Sequence, residues 1–491
     1  MNKPRLSVVH HRKVLLTPCP SAPVRIIRYS GIVALALFVH LAIAPCARAG
    51  ILTWDADPAT FGPQDGNGNW DTNTAAWWNG SADVVWTNAN GDSAIFGVPG
   101  GAGGTVTLPA NPPNIVVGNI TFNTNYTLAN SSAVLTLTNS PTLTAAAGTS
   151  NNIIPVLTGT GFTKDGPGIL VLNPSFNNTY SGPTAVNNGV LQVGGNDSRV
   201  YVNGDLVVNP AGIFRLTSGG SAGGVIPLTA TLVVNGGNVL GNVSGKYLYF
   251  NKLVLDNNGS ITVPNPPPGN FYFNPTNIDA RSGAIYANLY RSITNNLFKS
   301  TAGTVIVSNR PNASSTDGYL VSMNAGTLIF DKSIQNANRL LNNGLLTLGG
   351  GSLVFSNGST SINPTAENPG TAGTTITPGA SSVLGTNVSA SGGNITFGAF
   401  TRKTGGTFDF KKVGAGSMTT TTVNNNGILG GWATWFGTDW LAGTTLAAYA
   451  AYTTSSDATT WLAANNVSLA ASPLANLDDT TINSLRLTAA G

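Results

Sequence analysis

The chain has 491 residues, of which 60 are Gly and 28 are Pro, and only 9% are charged. This composition is unlike that of an ordinary cytosolic enzyme and argues against a set of compact globular domains. The net charge of +4 comes from residues 1–49, which hold seven of the 23 lysines and arginines and no acidic residue. The other 16 basic residues are dispersed and are outnumbered by 19 acidic ones, so no nucleic-acid partner is expected.

Residues 1–49 have the layout of a signal peptide. Basic residues precede an apolar run from Gly31 to Ala44, and the segment ends at the small-x-small site Ala47-Arg48-Ala49. The apolar run of about 14 residues is shorter than the roughly 20 that a membrane-spanning helix needs. We therefore expect recognition by the export machinery, cleavage after Ala49, and no membrane span in the mature chain.

The chemistry available to the mature chain is restricted, because every cysteine and histidine lies within residues 1–49 (Cys19, Cys46, His10, His11, His40). Without them a protein cannot build a His-based catalytic triad, a thiol nucleophile, or a zinc or copper site of the usual ligand types. It cannot form disulfides either. The sequence thus predicts no catalytic, cofactor-binding or metal-binding residue and no cofactor.

Residues 50–104 form a Trp-rich segment that holds five of the nine tryptophans (Trp54, Trp70, Trp77, Trp78, Trp86). Exposed indole rings would suit stacking on sugars at a cell surface. The alternative, which we favour, is a cap, because the open end of a stack of strands exposes sheet edge and core and must be covered.

The same segment contains several aspartates among small and polar residues (Asp55, Asp57, Asp65, Asp71). Their carboxylates are ligands of the type that calcium prefers. However, the segment lacks the regular short repeat of a calcium-binding β-roll, so the favoured interpretation is that these aspartates are solvated turn residues.

From residue 105 to 425, short runs of Val, Leu, Ile, Thr and Phe alternate with Asn, Gly, Ser and Pro clusters, as expected for strands bounded by tight turns. A Gly followed by an alternating apolar triplet recurs at Gly189, Gly212, Gly237 and Gly259, with spacings of 23, 25 and 22 residues. The pattern returns further on (Gly326, Gly344, Gly351). This period predicts an all-β, elongated β-solenoid, in which each coil stacks on its neighbours.

Residues 161–195 contain Gly-Phe-Thr-Lys-Asp-Gly-Pro-Gly-Ile-Leu-Val-Leu-Asn, and then, from Asn178, Asn-Thr-Tyr-Ser-Gly-Pro-Thr-Ala-Val-Asn-Asn-Gly-Val-Leu-Gln-Val-Gly-Gly. This stretch resembles the autotransporter-associated β-strand repeat, also called the passenger-associated transport repeat, except that Pro183 stands where the family more often has Gly. The resemblance implies a right-handed parallel β-helix, export across the cell envelope and a role in surface display. It implies no catalytic residues.

Residues 426–491 are expected to form a C-terminal β segment. Only Leu441 to Tyr452 has some helical character, and its small residues leave that ambiguous. Proteins with the resembled repeat end in a membrane barrel of about 10-residue strands, and the residues after Gly427 supply too few such strands. Two interpretations stay open: a truncated passenger, and a relative without a barrel.

The predicted function is therefore that of an exported structural or adhesive passenger without catalytic activity, secreted from or held at the outer surface of a Gram-negative-type bacterium. Surface carbohydrate and other cell-surface proteins are the expected partners. A passive spacer fits a rod equally well. The alternative is a polysaccharide lyase or hydrolase, or a carbohydrate-binding module, because parallel β-helices often host such sites. Its candidate catalytic residues are few (Asp478, Asp479, Arg486, Tyr180).

Overall fold

The computed structural model describes residues 49–88, 91–110, 114–194, 199–217, 224–242, 246–263, 271–289, 295–308, 319–331, 344–356, 373–386, 395–414, 417–471 and 480–488. Within these ranges the regular structure is β except for a 3-10 turn at Ala458–Thr460. No helix in the described part of the chain has the length and hydrophobicity that a membrane crossing requires. The predicted all-β class and the parallel solenoid are confirmed.

A first ladder of parallel strands begins at residue 51, and each strand pairs with the equivalent strand one coil later. Its members are Ile51–Trp54, Ser93–Phe96, Ile120–Phe122, Thr142–Ala145, Thr163–Asp165, Thr184–Val193, Leu206–Leu216, Thr231–Asn235, Lys246–Asp256, Phe271–Ala280, Asn296–Lys299, Leu320–Met323, Leu346–Leu348, Thr374–Ile376 and Phe400–Arg402.

A second ladder runs beside the first, and the long strands Thr184–Val193 and Leu206–Leu216 take part in both. Its other members are Gly68–Asn69, Gly104–Thr107, Tyr126–Ala129, Ser150–Ile153, Ile169–Leu172, Asn238–Gly241, Gly259–Thr262, Gly283–Tyr286, Thr304–Val307, Thr327–Asp331, Gly351–Ser356, Gly379–Thr386, Gly406–Val413 and Ala433–Trp435.

Shorter pairings complete the coils. The parallel ones are Ile115–Val117 with Val134–Leu137 and Val156–Gly159, Asn288–Leu289 with Phe271–Ala280, Ile395–Thr396 with Met418–Thr419, and Asn466–Leu469 with Ser484–Leu487. The antiparallel ones are Trp77–Trp78 with Ile51–Trp54 and Asp83–Val84, and Asp439–Ala442 with Ala433–Trp435 and Ala447–Ala448. The sequence of residues 441–452 was ambiguous between helix and strand. In the structure this stretch contains strand residues and no helix.

The glycine period of the sequence corresponds to one coil. Gly189 pairs directly with Gly212, and the residues that follow Gly212, Gly237 and Gly259 pair with one another in successive coils. Gly259 itself pairs with Gly283. The expected spacing of 22 to 25 residues is thus the register of the second ladder.

Two of the three later glycines follow the same register. The residues after Gly326 and Gly351 pair with each other in the second ladder, as the repeat predicts. Gly344 does not belong to this row, because the strand after it, Leu346–Leu348, lies in the first ladder. The similarity of its triplet reflects the apolar alternation that both ladders share.

Alternating side chains explain why these short strands form and stack. Along each strand every second side chain points into the core. Residues at equivalent positions of successive coils lie directly above one another in the stack. A row of such side chains, each with no exposed surface, runs through six coils of the second ladder (Leu170, Leu191, Phe214, Val239, Ile261, Ile285). Each coil therefore buries its apolar face only against the coils before and after it.

Amide side chains form a second row on an outer corner of the coils. Asn209 donates through Nδ2 to Asn187 Oδ1 over 2.7 Å, and its own Oδ1 accepts from Asn235 Nδ2 over 2.9 Å. Asn257 extends the row by donating to Asn235. Asparagine suits this row because its side chain both donates and accepts, so each coil bonds to the next with one residue type.

Replacing Asn209 with Ala is expected to destabilise its coil by about 1 to 2 kcal/mol, since two hydrogen bonds are lost. Replacing Asn187 with Ala, which removes one bond at the end of the row, is the matched control and should cost about half as much. Hydrogen exchange of residues 184–216 measures both effects. Equal exchange in the two variants would contradict an inter-coil role for the row.

Candidate binding groove

The N-terminal tryptophans, which the sequence left as either a sugar platform or a cap, are mostly in the core. Four of them have 0 to 1% of their surface exposed (Trp54, Trp70, Trp77, Trp86). Three of these contact the ring of Phe96, which stacks at 5.4 Å on Phe122 of the next coil. Only Trp78 is partly exposed, edge-on to Phe61 at 5.0 Å. This packing supports the proposal that the cluster closes the first coil.

All four aspartates singled out in the N-terminal segment accept hydrogen bonds from loop backbone, as turn residues do. Asp65 accepts from the amides of Val98 and Gly103, each over 2.9 Å, and Asp71 accepts from the amide of Thr74 over 2.7 Å. Asp57 binds its own turn in the same way. Asp55 accepts from the amides of Asp57 and Gln64 over 3.0 and 3.2 Å and differs from the other three in being fully buried.

The structure does not bring together those catalytic candidates of the sequence that lie within the described residues. Tyr180 is fully buried, its hydroxyl lies 2.7 Å from Thr184 Oγ1, and burial raises its pKa. Arg486 forms an ion pair with Asp439 and lies over the ring of Tyr452 at 4.9 Å. Asp478 and Asp479 lie outside the described residues.

The candidate site that the sequence did not indicate is a surface groove of about 410 Å³ on the outer face of the first ladder. We call it the ladder groove. It crosses consecutive coils, from Lys246–Asp256 to the residues after Leu320–Met323. Six of its seven lining residues are of polar or charged type (Asn251, Lys252, Asn277, Asp279, Phe298, Ser300, Asn324).

Strand register places these side chains side by side. Lys252 pairs with Asn277 and Asp279 with Phe298, so outward positions of neighbouring coils lie in two adjacent rows. Asn277 Oδ1 accepts from the side chain of Asn296 over 3.1 Å, which fixes the orientation of the amide. The groove therefore rests on rigid strands.

The charges of the ladder groove are fixed by ion pairs. Asp279 lies 3.5 Å from Lys252 Nζ and 3.0 Å from an Arg281 nitrogen. Arg281 also reaches Asp256 over 3.2 Å, and these two carboxylates raise its pKa. Since the positive and negative groups alternate, the groove presents donors and acceptors without a strong excess of either charge.

Phe298 is the aromatic element of the ladder groove. Its ring is 43% exposed although it lies on a strand, where its neighbours Leu297 and Lys299 are fully buried. An exposed ring among amides, a hydroxyl and a charge pair offers one apolar face with hydrogen-bonding groups around it. This combination binds ligands that are themselves amphipathic, with polar groups at the edge of an apolar face.

Comparison with known proteins agrees with the resemblance seen in the sequence. The profile of the passenger-associated-transport-repeat family matches residues 162–193. The chain is 36% identical over 212 residues to the "Adhesin BmaC autotransporter" of Brucella suis biovar 1 (strain 1330), an alignment that covers 42% of this chain and 6% of that protein. No solved structure matches the chain. The chain thus spans a small fraction of the relative's length, and it carries a passenger-associated transport repeat within a parallel β-solenoid similar to part of an autotransporter adhesin.

Proposed function

We propose that this chain is an adhesive passenger that is exported to the outer surface of a Gram-negative-type bacterium and binds carbohydrate there through the ladder groove. The relative of this chain is an adhesin by name, which supports attachment as the role. The observation that carries the proposal is the exposed ring of Phe298 within a polar groove built on rigid strands.

The chemistry of the groove favours sugars over other ligands. The C–H face of a pyranose ring packs on an aromatic face, and the hydroxyl groups around it need both donors and acceptors. Asn251, Asn277 and Asn324 supply both, Lys252 donates and Asp279 accepts. The groove volume of about 410 Å³ suits a short oligosaccharide segment.

Binding without turnover is part of the proposal. Asp279 is the single carboxylate among the groove's lining residues, whereas glycoside hydrolysis ordinarily uses two carboxyl groups on opposite sides of the scissile bond. The groove thus offers recognition without the usual pair of acid and base. This supports a passenger that holds a glycan rather than one that cleaves it.

Screening the chain on a panel of neutral and acidic glycans is expected to give binders whose affinity falls about tenfold in Phe298→Ala, because the stacking face is lost. Phe176→Ala is the matched control, since Phe176 is also an exposed phenylalanine, 61% accessible, but lies far outside the groove lining. Product release from the same panel should be absent. Binding that is unchanged in Phe298→Ala, or equally reduced in Phe176→Ala, would contradict the proposal.

A further inference from the structure

Asp279 makes all of its charged contacts through one carboxylate oxygen. Its Oδ2 accepts from Arg281 Nε over 3.3 Å and from Arg281 Nη2 over 3.0 Å, and Lys252 Nζ lies 3.5 Å from the same atom. Within the described part of the chain, the other oxygen, Oδ1, takes part in no hydrogen bond or ion pair. The ladder groove therefore has one negatively charged acceptor that is left for a ligand.

The basic groups beside this acceptor are already matched by acids. Arg281 contacts Asp279 over 3.0 Å and Asp256 over 3.2 Å, so two carboxylates share one guanidinium. The ammonium of Lys252 has Asp279 as its ion-pair partner. Two basic and two acidic side chains thus give this part of the ladder a net charge of zero.

Asp279 also lies next to the aromatic element of the ladder groove. It pairs with Phe298 of the next coil, and both residues have partly or well exposed side chains on the outer face of the first ladder. Neighbouring strands lie about 4.8 Å apart. A sugar ring that packs on Phe298 therefore brings the groups at its edge next to the carboxylate of Asp279.

This arrangement determines which sugars fit. A hydroxyl at the ring edge donates to a carboxylate oxygen, whereas an ionised carboxylate or sulfate has no proton to donate and is repelled by it. Lys252 and Arg281 do not compensate, because Asp279 already pairs with both. We infer that the ladder groove selects neutral glycans and that Asp279 is the residue that excludes acidic ones, an inference that rests on the proposed function of the groove.

The same contacts imply that one substitution inverts the selection. Asp279→Asn keeps the size of the side chain and removes its charge. Arg281 keeps Asp256 as its partner, but Lys252 loses the carboxylate with which it pairs. The side chain of Lys252 is 41% exposed, so its released ammonium is accessible to an anionic group of a ligand. A repulsive element is thereby exchanged for an attractive one.

The test compares neutral hexose oligosaccharides with counterparts in which C6 is a carboxylate, so each pair of probes differs in one group. Isothermal titration of the full chain is expected to show binding of neutral probes and at least tenfold weaker binding of their acidic counterparts. In Asp279→Asn the acidic probes should bind at least as tightly as the neutral ones, and high salt should weaken that binding by screening the charges. Adding Lys252→Gln to this variant should abolish the gain.

Asp205→Asn is the matched control, since the exposed Asp205 carries the same charge, accepts from the amide of Thr231 over 2.7 Å and lies outside the groove lining. It should discriminate between the probes as the unmodified chain does. Equal binding of acidic and neutral probes by the unmodified chain, a comparison that needs no variant, would overturn the inference and leave the proposed function standing. Unchanged discrimination in a folded Asp279→Asn chain would do the same. A chain that binds neither kind of probe would contradict the proposed function, and the inference with it.

Discussion

Replacing Gly189 with Val is expected to open one coil of the solenoid while distant coils stay protected. Gly189 has a φ of +66°, and a Cβ at this position would lie 2.4 Å from the carbonyl oxygen of Gly166 and 2.5 Å from that of Gly168. A β-branched residue resists this backbone conformation, and the carbonyls belong to the adjacent coil and cannot move freely. The expected cost is more than about 2 kcal/mol.

Limited proteolysis with mass analysis of the fragments measures this effect. Cleavage should cluster between residues 180 and 215, because in a stack each coil contacts only its neighbours. Gly431→Val is the matched control, since a Cβ there has no atom within 4 Å. Uniform digestion of the Gly189→Val chain, or a pattern identical to the control, would count against coil-by-coil stability.

Replacing Lys164 with Met is expected to destabilise the same repeat by about 2 to 3 kcal/mol. Lys164 is fully buried, and its ammonium donates to the carbonyls of Asp165, Gly166 and Asn188 over 2.7 to 2.9 Å. The ammonium of Lys164 therefore links the turn at Asp165 and Gly166 to Asn188, which precedes Gly189 in the next coil. Methionine keeps the length of the side chain but leaves three acceptors unpaired.

The pH dependence of this effect has a defined sign. Burial lowers the pKa of Lys164 to about 8, below the ordinary value of 10.5. Between these values the unfolded chain binds more protons than the folded chain, so the stability contributed by this group rises with pH. The difference in free energy of unfolding between the unmodified chain and Lys164→Met should grow from pH 8 to 10.5, by about 3 kcal/mol at most.

Thermal or denaturant unfolding followed across this pH range tests the prediction. Lys403→Met serves as the control, because Lys403 is exposed and its removal should change neither the stability nor its pH dependence. A stability difference that shrinks as pH rises above 8 would contradict the assignment of a buried ammonium to Lys164.

The repeat was readable from the sequence because glycine marks close contact between coils. At Gly212, for example, a Cβ would lie 2.2 Å from the carbonyl oxygen of Val186 in the preceding coil. No other residue fits such a position, so the glycine spacing reports the coil length directly. The apolar alternation then indicates which side chains face the core.

The burial of Lys164 could not be predicted from the sequence, although the residue itself lies in the recognised repeat. Lys164 lies in the stretch that resembles the family repeat, but nothing in its neighbourhood in the sequence marks it as buried. A second buried lysine, Lys299, donates to the carbonyl oxygens of Thr301 and Ala325 in the same way, and burial lowers its pKa too. Both lysines precede a glycine by four residues, Gly168 and Gly303, but the half-buried Lys412 has the same spacing to Gly416, so the spacing alone does not predict burial.

The ladder groove was beyond sequence reasoning because coil stacking creates it. The ladder groove joins Asn251 to Phe298 across two coils, a separation that no local pattern reports.

The register of the parallel coils underlies the ladder groove and the predictions for Gly189 and Lys164, and an engineered disulfide tests it most directly. Gln192 pairs with Arg215 in the next coil, and Arg215 pairs with Leu240 in the coil after that. Neighbouring strands lie about 4.8 Å apart, within the Cα separation that a disulfide allows, whereas two coils span about 10 Å. Oxidation of a Gln192→Cys, Arg215→Cys chain should link these two positions, and a Gln192→Cys, Leu240→Cys chain should stay unlinked. Linkage of the second pair but not the first would contradict the parallel solenoid.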